Sequence, residues 1–381
     1  MRRKNVAMSL SQSSSASGPA QDVDSAEPKR EVGSDVFATL SLIARVVAVN
    51  FAIAMWIFSG QSNPSIAIGH EKQTNDAAND ASKQSIAKKK AEMGRLVFGT
   101  NKHFDKTATN VLQAIQDGGY THVATCGRHA NYNEEGSGSG IRQALEGSAV
   151  SSREDLFLQT CFVADTNPDY DKTWSADTPS DTATSDVTIS QQVRQSVESS
   201  LKNLNTTYLD AVLYHNLKSK LDPYEKIREA WSELEKFVDQ GTIRYLGLTN
   251  VHDLDFLEKF YSGVRVKPTI LQNRFHANRK FNLPLRSFIR QHNLRWQAFW
   301  ILTGNGGTVG GPVAKDIAKK YKVTPQQVIF SFVLSLGATP MVGSATAQHL
   351  KQDMDVTSDL LSLEDRIRFA EALGKPDLVE R

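Results

Sequence analysis

From Arg95 to Val342, short apolar runs alternate with longer stretches in which apolar residues recur every three or four positions. The first pattern is that of buried parallel strands, and the second is that of helices packed on one face. Strand-like runs fall at 95–99, 121–125, 156–162, 209–214, 243–248, 269–271, 295–299 and 339–342. Helix-like stretches fall at 107–117, 134–145, 190–204, 223–239, 254–261, 283–292 and 312–321. Local chemistry marks several boundaries. Thr324-Pro325-Gln326-Gln327 joins an N-cap threonine, a proline at the first helical position and a capping-box glutamine. Gly118-Gly119 and Gly241 follow helical runs, where a left-handed C-cap is expected. Eight such units in about 280 residues predict an α/β fold, a closed (β/α)8 barrel of the TIM type spanning 94–381. The structural rival is an open doubly wound sheet. It would carry a Gly-rich phosphate turn after its first strand, and the segment Gly99–Phe104 (GTNKHF) is not one.

The region before the barrel divides into three. Residues 1–35 are rich in Ser, Ala, Gln, Asp and Lys, lack apolar periodicity and are expected to be disordered. Val36 to Phe58 form a hydrophobic run broken only by Arg45 and Asn50, long enough for a transmembrane helix of about 20 residues. Arg45 argues against a span, at roughly 2.5–3.5 kcal/mol on insertion scales, but it lies in the first half of the run and can snorkel. The expectation is a single-pass, membrane-associated chain; an interfacial helix or a targeting peptide are the alternatives. Residues 59–93 read as a polar linker.

Charge changes the picture little. The 44 basic and 42 acidic residues give a net charge of +2, which provides no basis for nucleic-acid binding. The only two cysteines, Cys126 and Cys161, make no disulfide framework and no zinc-type Cys/His spacing, so no metal is expected. Two buried, inert thiols are the expectation, and a redox pair is the sharper alternative.

Residues Gly119–His122 (GYTH), Arg153–Thr160 (REDLFLQT), Leu201–His215 (LKNLNTTYLDAVLYH), Gly241–Asn250 (GTIRYLGLTN), Gln272–Phe275 (QNRF) and Met341–Asp353 (MVGSATAQHLKQD) occur in order along the chain. Together they resemble successive segments of the aldo-keto reductases. The resemblance implies hydride transfer from NADP(H), or alternatively NAD(H), to a small carbonyl substrate. It implies a Tyr as the acid, a Lys–Asp pair that lowers the Tyr pKa, and a His that orients the carbonyl. On this matching Tyr132 and His215 are the catalytic residues, while the Asp position holds Ala124 and the Lys position holds Cys161. A cation about 4 Å from a phenol is worth on the order of 4 kcal/mol at an effective dielectric near 20, or roughly three pKa units. Its loss implies weak or altered activity. A catalytically inactive barrel that binds nucleotide or a protein partner is the alternative reading. Arg128 or His129, in the same loop as Tyr132, could stand in for the missing cation. The same matching implies cofactor contacts from Thr249, Asn250 and Gln272 to the nicotinamide amide, and from Phe299 to its ring. Gly343, Ser344, His349 and Asp353 are matched to the adenosine-phosphate end.

Overall fold

The computed structural model describes residues 95–127, 131–164, 187–216 and 223–380. The expected disordered tail, the hydrophobic run 36–58, the linker 59–93, and Arg128 and His129 lie outside these residues. Among the described residues, no helix is long and apolar enough to cross a membrane.

Eight parallel strands close into a barrel in sequence order. They are β1 (Val97–Gly99), β2 (His122–Ala124), β3 (Phe157–Phe162), β4 (Leu209–His215), β5 (Ile243–Thr249), β6 (Ile270–Arg274), β7 (Arg295–Phe299) and β8 (Thr339–Val342). Pairing of Val97 with Met341 and of Phe98 with Val342 joins β8 to β1 and removes the sheet edges. The helices that follow the first six strands are α1 (Thr107–Gln116), α2 (Glu134–Glu146), α3 (Ile189–Asn203), α4 (Tyr224–Asp239), α5 (Leu254–Gly263) and α6 (Arg286–Gln291). After β7 come two single turns, α7 (Ile301–Gly304) and α8 (Gly306–Val309), and then α9 (Pro312–Tyr321) and α10 (Pro325–Ser335). The chain ends with α11 (Ala347–Met354) and α12 (Leu363–Ala372) after β8.

The boundaries follow from side-chain chemistry. Thr324 caps α10 in a complete capping box with Gln327, and Pro325 occupies the first helical turn. Gly119 and Gly241 adopt φ of +69° and +75°, the left-handed turn that lets the chain leave a helix for the next strand. The 283–292 stretch is only partly helical. Lys280, Phe281 and Asn282 all take positive φ in an irregular turn, and regular helix begins at Arg286. The short turns α7 and α8, and helices α11 and α12, were not evident from periodicity alone.

At the strand N-termini, buried Asp210 accepts from Arg153 and Arg244, both at 2.8 Å, and from the Leu158 amide at 2.9 Å. Both guanidiniums also lie over the Tyr208 ring. This end of a barrel carries stability, and the opposite end carries chemistry. Beneath that opposite end runs a chain of amides. Gln159 and Gln297 exchange hydrogen bonds of 3.0 and 2.8 Å across the barrel interior. Gln272 donates to Gln297 at 2.9 Å and accepts from the Thr249 hydroxyl at 3.1 Å. A buried polar layer in which the amides satisfy one another makes a rigid floor rather than a source of instability.

Candidate active site at the strand C-termini

A cavity of about 760 Å³ opens at the C-terminal ends of the strands. Tyr132, His215, Asn250, Gln272, Phe299, Gly343 and Ser344 all line it, so one pocket gathers seven of the ten residues singled out from sequence. Ala124 and Cys161 line it as well, which puts both substituted positions on the wall.

The segment bearing Tyr132 is held from two sides. The Lys102 amide donates to the Asn131 carbonyl at 2.7 Å. Asn133 caps α2 by accepting from the Gly136 amide at 2.7 Å, and its own amide donates to the Phe104 carbonyl at 3.1 Å. Buried Glu134 then pins the start of α2 to the barrel. It accepts from Thr160 Oγ1 at 2.5 Å and from Ser200 Oγ at 2.9 Å. His215 ends β4, and its Nδ1 lies 3.1 Å from Cys161 Sγ and 3.8 Å from Cys126 Sγ.

Those sulfurs correct one expectation. Cys126 and Cys161 are not separate thiols but a disulfide joining neighbouring strand ends, with Cα atoms 4.4 Å apart. Sequence separation hid this, because 35 residues along the chain become a single step around the barrel. The absence of zinc-type spacing also proves uninformative. Cys126 just after β2, Cys161 in β3 and His215 at the end of β4 are far apart in sequence, yet their ligand atoms all lie within 4.8 Å of one another.

The cavity wall contains Lys102, Arg274, His103 and His215 but, among the described residues, no Asp or Glu. Arg274 is the residue sequence reading overlooked. Burial holds its pKa below the ordinary arginine range and nearby Arg279 adds to that, while Tyr132 acts in the opposite direction. The two groups are therefore near enough to interact electrostatically. Arg274 also lies 5.7 Å from the Phe299 ring centre and 5.4 Å from that of Trp300. The available signal was simple: Arg274 ends β6 two residues beyond Gln272, so both point to the same face. Trp300 was missed too. It is 45% exposed and adopts φ of 60°, a conformation in which a bulky residue is a true outlier.

The nucleotide positions divide. Asn250 Oδ1 is buried without a hydrogen-bond partner, on a residue that lines the cavity, while its Nδ2 donates to the Asn216 carbonyl at 2.7 Å. Asn250 thus contributes to the wall with its side-chain oxygen turned out of reach of water, and its amide is engaged by the backbone. Phe299, half-buried on the same wall, fits the flat face of the ring. Thr249 does not line the cavity; it is buried with its hydroxyl bonded to Gln272, so it orients that amide instead. At the phosphate end the Ser344 hydroxyl donates to Asp353 at 2.6 Å. His349 is exposed and lies off the cavity wall.

Asp353 itself is buried, and burial lifts its pKa to about 6 against the pull of Ser344 and His349. A carboxyl that binds its proton more tightly when folded carries no penalty below its unfolded pKa near 3.8, and the full penalty above about 6. Asp353→Asn should therefore match the parent near pH 4 and exceed its stability by about 2–3 kcal/mol at pH 8. Paired melts across that range check it, and a pH-independent difference would contradict the assignment.

Comparison with known proteins agrees with this geometry. A profile of the aldo/keto reductase family matches residues 95–311. The chain is 28% identical over 252 residues to an uncharacterized oxidoreductase, YtbE, of Bacillus subtilis, covering 66% of this chain and 78% of that one. It is 27% identical over 272 residues to glyoxal reductase of Bacillus subtilis, covering 71% and 85%. An aldo-keto reductase from Bombyx mori, solved in complex with NADP, superposes with a TM-score of 0.58 at 20% identity, covering 75% of this chain and 91% of that chain. The chain belongs to the aldo/keto reductase family.

Proposed function

We propose that the barrel reduces a small aldehyde or ketone with NADPH, and that Arg274 supplies part of the electrostatic help expected from the absent lysine. The observation that carries this reading is the convergence of Tyr132, His215, Asn250 and Arg274 on one cavity whose described lining holds no carboxylate. NADP(H) is the family's cofactor, and glyoxal reductase is among the similar proteins; a small reactive dicarbonyl or aldehyde is the substrate class to try first.

The bound nicotinamide supplies the hydride. The chain's own residues do the rest. Asn250 lines the carboxamide end, Phe299 packs on the ring face, and Gln272 is held in place by Thr249 and Gln297. His215, whose Nδ1 faces the sulfurs, presents its other ring nitrogen to the carbonyl oxygen. Tyr132 O–H gives its proton to that oxygen as charge develops, and Arg274 stabilises the phenolate left behind. Trp300 forms the exposed rim on the substrate side.

The test is NADPH-dependent reduction of methylglyoxal and simple aldehydes by the full chain, alongside NADPH titration followed by nicotinamide fluorescence. Arg274→Met should lower kcat about tenfold, about 1.4 kcal/mol of barrier, and move the pH profile for alcohol oxidation to higher pH. Arg274→Lys should retain most of the rate, because it keeps the charge. Equal losses in Met and Lys variants, with no movement of the pH profile, would mean that Arg274 only shapes the pocket. NADPH binding with no turnover of any aldehyde would favour the inactive-barrel reading.

A further inference from the structure

Both cysteines of this chain lie at one spot. Cys126 follows β2, Cys161 lies within β3 and His215 ends β4, so three consecutive strands deliver two sulfurs and an imidazole to one point. The surroundings are apolar: Phe157, Val163, Ala211, Leu213 and Ile270 pack around the cysteines, with Tyr132 against the same cluster. Cys161 and His215 both face the cavity, so one side of the group is open to a small molecule.

We propose that, when the disulfide is reduced, Cys126, Cys161 and His215 hold a thiophilic divalent cation, with Zn²⁺ as its natural occupant and the fourth position open to the cavity. The distances suit it. Tetrahedral zinc, with Zn–S near 2.3 Å and Zn–N near 2.0–2.1 Å, places a sulfur and a nitrogen about 3.6 Å apart. The observed separations of 3.1 and 3.8 Å from His215 Nδ1 bracket that value. Breaking the disulfide frees the sulfurs to move to ordinary non-bonded separation. Three protein ligands plus one open position is the arrangement of catalytic zinc, and two cysteines with one histidine is one of its known donor sets.

The chemistry balances as two steps. An external dithiol gives two electrons and two protons to the disulfide, producing two thiols and its own oxidised form. Metal entry then displaces both thiol protons to solvent, because thiolate is the ligand. The disulfide is thus the closed form of the site and the dithiol the metal-competent form. A cation held there sits at the position where the family resemblance expects an ammonium, since Cys161 occupies that position. It could polarise a carbonyl oxygen as a Lewis acid.

This inference goes beyond the reductase reading and stands without it, because metal binding needs neither NADPH nor substrate to be seen. The full chain is reduced with a non-chelating phosphine under argon, its thiols are counted, and it is titrated with Co²⁺. The expected result is one Co²⁺ per chain, with the near-ultraviolet absorption of cobalt–thiolate bonds and the visible bands of a tetrahedral site. Zn²⁺ should displace it, and the oxidised chain should show neither signal. Cys126→Ser and Cys161→Ser should each weaken binding at least about tenfold, or 1.4 kcal/mol. His215→Ala should weaken it while keeping the thiolate absorption. Three outcomes would overturn the proposal: a reduced, folded chain with two free thiols that binds no Co²⁺; cobalt bands that persist when both cysteines are replaced; or a disulfide that yields to reductant only when the chain unfolds.

Discussion

Tyr132→Phe should lower NADPH-dependent aldehyde reduction by at least about a hundredfold while leaving NADPH affinity within about threefold. The basis is positional. Tyr132 lines the cavity at the strand C-termini beside Arg274 and packs against the Cys126–Cys161 cluster. General acid catalysis by a placed side chain contributes about a hundredfold to ten-thousandfold, so removing one hydroxyl should be visible even if the parent enzyme is slow. The substitution should leave the fold intact, because the ring remains and its segment is held by Asn131, Asn133 and Glu134. Steady-state kinetics with a fluorescence titration separates the outcomes. A variant that keeps the parent rate would mean that the proton comes from elsewhere, with His215 the first group to examine.

A second large effect comes from rebuilding the ion pair that the family resemblance expects. Ala124→Asp and Cys161→Lys together should raise carbonyl reduction at least about tenfold, while each alone should not. Alone, Cys161→Lys places an ammonium in a cluster of Phe157, Leu213 and Ile270 with no carboxylate partner, which depresses its pKa and destabilises the barrel. Alone, Ala124→Asp buries a carboxylate at a position that is now 3% exposed. Uncompensated charges of this kind cost roughly 3–5 kcal/mol, and pairing them removes most of the penalty. Melting temperatures should therefore fall in both single variants and recover in the double. Replacing Cys161 also removes the disulfide, so Cys161→Ala serves as the reference for that loss. A folded double variant that binds NADPH yet gains no rate would show that Arg274 already fills the electrostatic role.

The barrel was legible in the sequence because most strands bury both faces and most helices only one, so two periodicities alternate through the chain. Strand boundaries at 295–299 and 339–342 coincide with the observed β7 and β8. Segments whose form depends on tertiary contacts were not legible. Residues 277–285 turn through three consecutive positive-φ residues, and the last two helices pack as covering elements after the eighth strand. In the site, Tyr132, His215, Asn250, Gln272 and Phe299, matched through the family resemblance, line one cavity. Strand-end logic applied to β6 would have reached Arg274, two residues past Gln272. The disulfide could not be read this way. Which cysteine meets which depends on strand register, and here Gly127 donates to the Cys161 carbonyl, drawing residue 126 alongside 161. Thr249 and Ser344 show the converse limit: residue type matched a cofactor contact, while the hydroxyls are bonded to Gln272 and Asp353.

The central claim is that this cavity moves a hydride from a reduced nicotinamide to a carbonyl carbon, with Tyr132 completing the transfer. The most direct measurement is isotopic. The full chain is incubated with an aldehyde and NADPH carrying deuterium stereospecifically at the nicotinamide C4, and the alcohol product is analysed by mass spectrometry and NMR. The account predicts one deuterium at the former carbonyl carbon from one C4 epimer only, and its loss in Tyr132→Phe. A chain that binds NADPH but transfers no deuterium to any small aldehyde or dicarbonyl, in either redox state of Cys126 and Cys161, would contradict it.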